Sequence, residues 1–351
     1  MPDEQEYLQN IGSLSQSTLS RLVYIVGTAR GGTTLFHRMV GIHKQILTFP
    51  GPSHFINQVW AYRKKVHDRL FTQIFRLPAF YEEETVVKSL GAEGLNELRQ
   101  LINKRLQSRN LRLMWQLYPI IYALSQRPRL VPSTIKCWVE KETNCSSLNT
   151  ISKYFPQAKF IFIVRDPRSA VTSLAQRATA KLTASYPTHI DNTKLIDSCI
   201  HWRYTMQRIL QFSKSHSESC LKVYFEELLM NPESTLNNVY EFIGTDRLPE
   251  SLIFSQTSEL PYKRSNDYSD HMEGQGLNKD AFDRWKNSLT RSELNLIENL
   301  TGPTAHKLGY AIGSSQHKIS FLKTLMTIKN RKDRFIIGAK LIYISIYEYL
   351  V

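Results

Sequence analysis

The sequence predicts an α/β fold, a central parallel sheet flanked by helices, on three observations. Two unbroken apolar runs, Leu22-Val23-Tyr24-Ile25-Val26 and Phe160-Ile161-Phe162-Ile163-Val164, have the composition of strands buried on both faces. Each run ends in a turn that opens a helix, Gly27 to Thr34 after the first and Arg165-Asp166-Pro167 after the second. Strand and helix patterns then alternate along the chain, the order that builds a parallel sheet.

Taken in order, residues 1–20 are polar and read as a loose arm or short helix. The first apolar run follows, then a helical pattern with Leu35, Met39 and Ile42 on one face. Residues 46–49 and 134–138 are short strand candidates, with helical stretches over 83–107 and 144–154. After the second run, Asp166 can cap a helix and Pro167 suits its first turn. Further on, 195–215 reads as helix, 221–225 as strand and 232–243 as helix, the last opened by Asn231-Pro232-Glu233. Thr290-Arg291-Ser292-Glu293 matches a capping box. Residues 177–194 and 262–280 read as irregular polar loops of the kind that face substrates or lie on the surface. There is neither an internal repeat nor a linker, so one elaborated domain is expected over 21–314. An arm, 1–20, precedes it and a basic, apolar tail, 315–351, follows.

Composition sets the limits. With 351 residues, 42% of them hydrophobic and 11% aromatic, the chain can bury a large core, which excludes wholesale disorder. The formal charge of +14 (45 basic, 31 acidic residues) suits an anionic partner: nucleic acid, an anionic membrane face or a polyanionic small ligand. Cys137, Cys145, Cys199 and Cys220 have no Cys-x-x-Cys spacing. Neither structural zinc nor a disulfide framework is therefore expected, and a reducing, cytoplasmic setting is the default. The N-terminal stretch has no basic and apolar regions of a signal peptide, and no run of 18 apolar residues suggests a membrane span.

The first strand-end turn invites comparison with a nucleotide triphosphate loop, but Thr33 stands where such a loop carries its lysine. Backbone N–H groups of the turn, the hydroxyls of Thr33 and Thr34, and the charge of Arg30 still suit a single phosphate-like group. Read as Gly-x-x-Arg-x-Gly-Thr-Thr-Leu, the turn resembles the 5′-phosphosulfate loop of the PAPS-dependent sulfotransferases, with Gly31 in place of that family's serine. The second strand end, Arg165-Asp166-Pro167-Arg168-Ser169-Ala170-Val171-Thr172-Ser173, is similar to the same family's 3′-phosphate segment, down to the eight-residue step from Arg165 to Ser173. Looser likenesses follow at Trp138 to Thr143, Tyr154 to Lys159, Phe225 to Glu233, Trp285 and Leu308-Gly309-Tyr310.

The resemblance covers about residues 22–310 and implies a P-loop-NTPase-like sulfotransferase fold, with PAPS as sulfuryl donor, PAP as product and no metal. It implies donor binding by Arg30, Gly31, Gly32, Thr33, Thr34, Arg165 and Ser173, with Arg168 as a further cation. Arg30 and Lys141 become the candidates for stabilising the bridging oxygen. Between Gly31 and His67 the sequence holds no Asp or Glu, so a carboxylate base there is excluded; His54 is the first candidate, ahead of His37, His43 and His67. The acceptor, a hydroxyl or amine, is left open, as is the oligomeric state. Two other classes compete: a degenerate P-loop kinase or NTPase, and a non-enzymatic protein bound to an anionic surface. No DNA-binding helix or RNA-binding aromatic signature favours nucleic acid. The tail, with seven Lys or Arg and one Asp over 317–340 beside apolar residues, suits peripheral contact with an anionic membrane, or packing on the domain or another subunit.

Overall fold

A computed structural model of the chain describes residues 4–10, 12–49, 83–108, 110–126, 130–183, 190–248, 283, 285–312, 328 and 330–349. Its centre is a five-stranded parallel sheet built from β1 (Leu22–Gly27), β2 (Ile46–Thr48), β3 (Cys137–Glu142), β4 (Lys159–Val164) and β5 (Cys220–Tyr224). The spatial order is β2-β3-β1-β4-β5. β1 therefore lies in the middle, paired with β3 on one side and β4 on the other.

Helices cover both faces, as two-sided strand burial requires. In chain order they are α1 (Glu4–Asn10), α2 (Gln16–Ser20), α3 (Thr33–Val40), α4 (Glu83–Gln107, broken at Gly91), α5 (Leu111–Trp115), α6 (Leu117–Ser125) and α7 (Leu148–Tyr154). There follow α8 (Pro167–Thr183), α9 (Asn192–Ser215), α10 (Phe225–Met230), α11 (Pro232–Ile243), α12 (Trp285–Ser288), α13 (Arg291–Lys307) and α14 (Arg331–Tyr349). Alternation along each strand sorts the side chains. Val23 and Ile25 of β1, with Val139, Ile161 and Ile163, face α3, α10 and α11. Tyr24 and Val26, with Trp138, Phe160 and Phe162, join the larger core beneath α1, α2, α4 to α9 and α13.

Both long apolar runs are strands, as the pattern predicts. The arm takes the helical of its two expected forms and is docked, not loose. Residues 1–20 carry two short helices, and Leu8, Leu14 and Leu19 are buried in the main core. Three well-spaced leucines in a polar stretch are enough to dock it. The third strand also moves: it runs over Cys137–Glu142, where the apolar pattern suggested 134–138. Glu140, Lys141 and Glu142 are all buried, so charge at the strand's end disguises it from any hydrophobicity pattern. Residues 177–183, expected to be irregular, extend α8. The loop 262–280 and the larger part of 315–330 lie outside the described residues.

Candidate active site

Because all five strands are parallel, their C-terminal ends share one edge. β1 delivers Gly27 there, β3 Glu142, β4 Val164 and β5 Tyr224. β1 continues into the glycine turn at the centre of the sheet, between β3 and β4, where chain order switches direction and α/β folds place their ligands.

The turn is tight and strained. Gly31 N–H donates to the Thr28 carbonyl at 3.0 Å. Arg30 sits at φ 63°, the only described residue other than glycine in the left-handed region. That conformation costs about 1–2 kcal/mol for a residue with a Cβ and is kept where surrounding contacts impose it. Gly32, at φ 91°, caps α3; a Cβ there would lie 2.1 Å from the Phe225 ring. Only glycine lets the turn pass beneath that ring. The first turn of α3 carries Thr33, buried, and Thr34, exposed, and has no acidic residue. Its N–H groups and positive dipole end thus point at the sheet edge without a competing side-chain charge in that turn.

Two other strand tips close on this turn. Arg165, just past β4, donates through Nη1 to the Arg30 carbonyl at 2.8 Å and through Nη2 to Ser169 Oγ at 2.7 Å. Its guanidinium stacks on Phe225, 4.4 Å from the ring centre. Arg30 Nε donates to Ser173 Oγ at 3.0 Å. Lys141 of β3 donates through Nζ to Thr34 Oγ1 at 2.9 Å. The residues expected to bind the two ends of a donor nucleotide, Arg30, Gly31, Gly32, Thr33, Thr34, Arg165 and Ser173, therefore occupy one neighbourhood, with Lys141 beside them. Ser173 hydrogen-bonds to Arg30; the family resemblance implies that Ser173 and Arg165 both hold the 3′-phosphate. Lys141 is 3% exposed, which excludes an ordinary solvated surface lysine.

Gathering these cations is costly. Burial lowers the Arg165 pKa to about 10; Glu226 opposes the shift and the positive charge of Arg30 adds to it. Arg165 still remains a cation at neutral pH. Around it, Glu226 accepts from the Asp166 N–H at 2.9 Å and from the Tyr310 hydroxyl at 2.9 Å. Trp202 donates through Nε1 to the Arg165 carbonyl at 3.1 Å. Arg168, expected to be a further cation for the donor, forks onto Asp166, lies 3.7 Å from Glu298 and stacks over Trp285. Its charge is balanced there and fastens α12 and α13 to the start of α8.

Sequence reasoning assigned no role to Ser169, Glu226, Tyr310 or Trp202. Ser169 was visible, one helical turn before Ser173 on the same face of α8. Glu226 and Tyr310 fall in stretches already noticed for their family likeness. Trp202 carries no local signal at all.

The base candidates separate. His37 is buried in α3, and burial, Lys141 and Arg38 together lower its pKa to about 3. It cannot hold a proton near neutrality and is a poor match for the acceptor proton. His43 precedes β2 at the opposite edge of the sheet, with Nε2 2.8 Å from the Asp246 carbonyl. His54 and His67 lie outside the described residues. Among the described residues, no three His, Cys, Asp or Glu side chains gather as a metal site.

The sequence pattern of the Sulfotransferase family matches residues 23–250, a span that contains both strand-end motifs. The chain belongs to the sulfotransferase family. Protein-tyrosine sulfotransferase A of Caenorhabditis elegans is 24% identical over 304 residues, covering 83% of this chain and 67% of that protein. Protein-tyrosine sulfotransferase 2 of Gallus gallus is 23% identical over 225 residues, 64% of this chain and 51% of the relative. The alignments thus span about half to two thirds of these relatives' length. Among solved structures, the sulfotransferase domain from the curacin biosynthetic pathway superposes with a TM-score of 0.54 at 17% identity, over 84% of this chain and 99% of that one. The sulfotransferase domain of the Synechococcus PCC 7002 olefin synthase gives 0.51 at 17% identity, over 84% and 96%. These likenesses establish the sulfotransferase fold. The family match does not favour the degenerate kinase or the non-enzymatic binding protein.

Proposed function

We propose that this sulfotransferase takes the sulfuryl group from PAPS and delivers it to a hydroxyl, with the phenol of a peptide tyrosine as the acceptor class. One observation carries the donor assignment: Arg165 bonds to the Arg30 carbonyl across 135 residues of sequence, so the two phosphate motifs act as one site. The residues fit a doubly phosphorylated nucleotide. The turn closes only with glycine at 31 and 32, where a Cβ would strike Thr28 and the Phe225 ring, so its backbone N–H groups stay bare, and Thr28 Oγ1 is buried inside the turn without a hydrogen-bond partner. The names of the aligned relatives support tyrosine as the acceptor.

When bound, PAPS would supply an activated sulfuryl group whose departure leaves negative charge on the bridging oxygen. In-line transfer asks the protein to position both reactants and neutralise that charge. The α3 N-terminus and Thr33 would hold the 5′-phosphate, and Arg165 with Ser173 the 3′-phosphate. Arg30 and Lys141 would supply positive charge to the bridging oxygen. His54 is the first candidate for the acceptor proton, ahead of His67, because His37 is buried with a lowered pKa and His43 lies at the opposite edge of the sheet. The four cysteines are free thiols, which suits a reducing compartment.

The test is transfer of label from sulfur-labelled PAPS to a tyrosine peptide, with its phenylalanine counterpart and a sugar alcohol as alternative acceptors. Label on the tyrosine peptide alone is expected. Label on the sugar and not the peptide overturns the acceptor assignment, and no label on any acceptor together with no PAP binding overturns the donor assignment.

A further inference from the structure

The C-terminal helix α14 has two apolar faces, and among the described residues only one of them joins a buried apolar cluster. Ile337 and Leu341, with Ile328 before the helix, pack on Ile196 and Ile200 of α9. Arg334 points the same way and donates twice to the Ile328 carbonyl. At 3.6 residues per turn, Phe335, Ala339 and Ile342 fall on the opposite side, with Ile336 and Tyr343 next to them. There Phe335 is 81% exposed, Tyr343 58%, Ile342 53% and Ile336 42%. These four are most of the large exposed apolar side chains among the described residues, and they lie together on one helix. Contiguous apolar surface of this kind marks an interaction site.

The charges around it select the partner. Arg331 and Lys332 are exposed on the first turn, and Lys340 stands at the edge of the face, half-exposed and paired with Asp197 of α9. The sequence leading into the helix continues the trend, with Lys318, Lys323 and Lys329 and no acidic residue over 317–330. No described helix is long and apolar enough to cross a membrane. A second copy of this chain would draw Arg331 and Lys332 into a protein–protein contact, where lysine is depleted. An apolar face rimmed by cations instead matches a helix lying flat in the interface of an anionic bilayer, apolar side chains among the acyl chains and cations at the headgroups.

We infer that the Phe335/Ile342 face of α14 docks the protein on anionic phospholipid membranes. This is independent of the donor and acceptor assignments, because the face is built from α14 alone and none of its residues belongs to the strand-tip cluster. Docking would hold the enzyme at a membrane surface through this helix face.

Vesicle sedimentation tests it, using the full chain with phosphatidylcholine vesicles and with vesicles containing about 30 mol% phosphatidylserine. The chain is expected to pellet with the anionic vesicles only, and to be released at about 0.5 M salt. Phe335→Glu with Ile342→Glu should weaken binding by ~10-fold or more while leaving the melting temperature unchanged. Arg331→Glu with Lys332→Glu, which touches no packed side chain, should give the same loss and guards against a folding defect in the first variant. Three results would overturn the inference: full recovery of the wild type in the supernatant, wild-type binding by both variants, or a dimer in light scattering that Phe335→Glu with Ile342→Glu dissociates.

Discussion

The two edges of the sheet both carry charged side chains, and they treat them in opposite ways. At the N-terminal edge, Lys136 reaches Asp246 at 3.1 Å, with the side chains 38% and 68% exposed. His43 and Gln45 bond to the same Asp246, and every group finds an ordinary partner. At the C-terminal edge, Arg165 and Lys141 are buried, Arg30 holds a left-handed backbone, and Arg165 loses basicity partly to its cationic neighbour. Solvated pairs of the first kind are cheap to keep and contribute little. Buried cations drawn together are expensive to fold, and sites that bear such a cost are where ligands bind. The contrast locates the active edge without reference to any relative.

The sharpest way to break this comparison is Arg30→Ala. It should lower the rate of sulfuryl transfer by about 10²–10³-fold, the range for removing one charge-stabilising group, while the thermal melt stays cooperative. A fully active variant would remove Arg30 from the chemistry and leave its strained backbone without a function.

A smaller effect separates the edges by pH. His37 has its pKa lowered to about 3 by burial, Lys141 and Arg38. The unfolded chain therefore binds a proton at this residue below about 6.5 that the folded chain does not take up until about 3. Stability due to His37 is present above pH 6.5 and is lost as pH falls through that window, by up to about 1.4 kcal/mol per pH unit. Denaturant titrations from pH 7 to 4 should show this slope, and His37→Asn should flatten it. An unchanged slope would mean that the site's electrostatics have been misjudged. The smallest effect belongs to the other edge: Lys136→Ala should change neither transfer rate nor melting temperature measurably, and a clear loss of activity there would erase the distinction.

The sequence and the structure part company along the same line. The strands at the middle of the sheet, β1 and β4, were legible because their sites begin only after the strand ends, leaving five clean apolar residues in each. β3 was displaced because its site residues lie within it, Lys141 facing Thr34 and Glu140 and Glu142 the other face. The convergence of Arg30, Arg165 and Ser173 was legible from motif likeness, yet the Arg30–Ser173 hydrogen bond was not, because spacing along α8 says nothing about which strand tip the helix faces. Glu226, Tyr310 and Trp202 escaped for a related reason. Trp202 and Glu226 fix Arg165 and Asp166 across 37 and 60 residues of sequence and Tyr310 holds Glu226 across 84, and long-range tertiary partners leave no local pattern. The N-terminal arm shows the converse: Leu8, Leu14 and Leu19 were in plain view, but three leucines in a polar stretch do not announce a docking surface.

The central claim is that two strand tips grip the two phosphates of one nucleotide, and calorimetry tests it most directly. PAP and adenosine 5′-phosphate, which lacks the 3′-phosphate, would each be titrated without magnesium into the wild type and into the Ser173→Ala and Arg165→Ala variants. The account predicts that the wild type binds PAP far more tightly, and that both variants lose affinity for PAP while their affinity for adenosine 5′-phosphate barely changes. Equal losses for the two ligands, or no preference for PAP in the wild type, would contradict it.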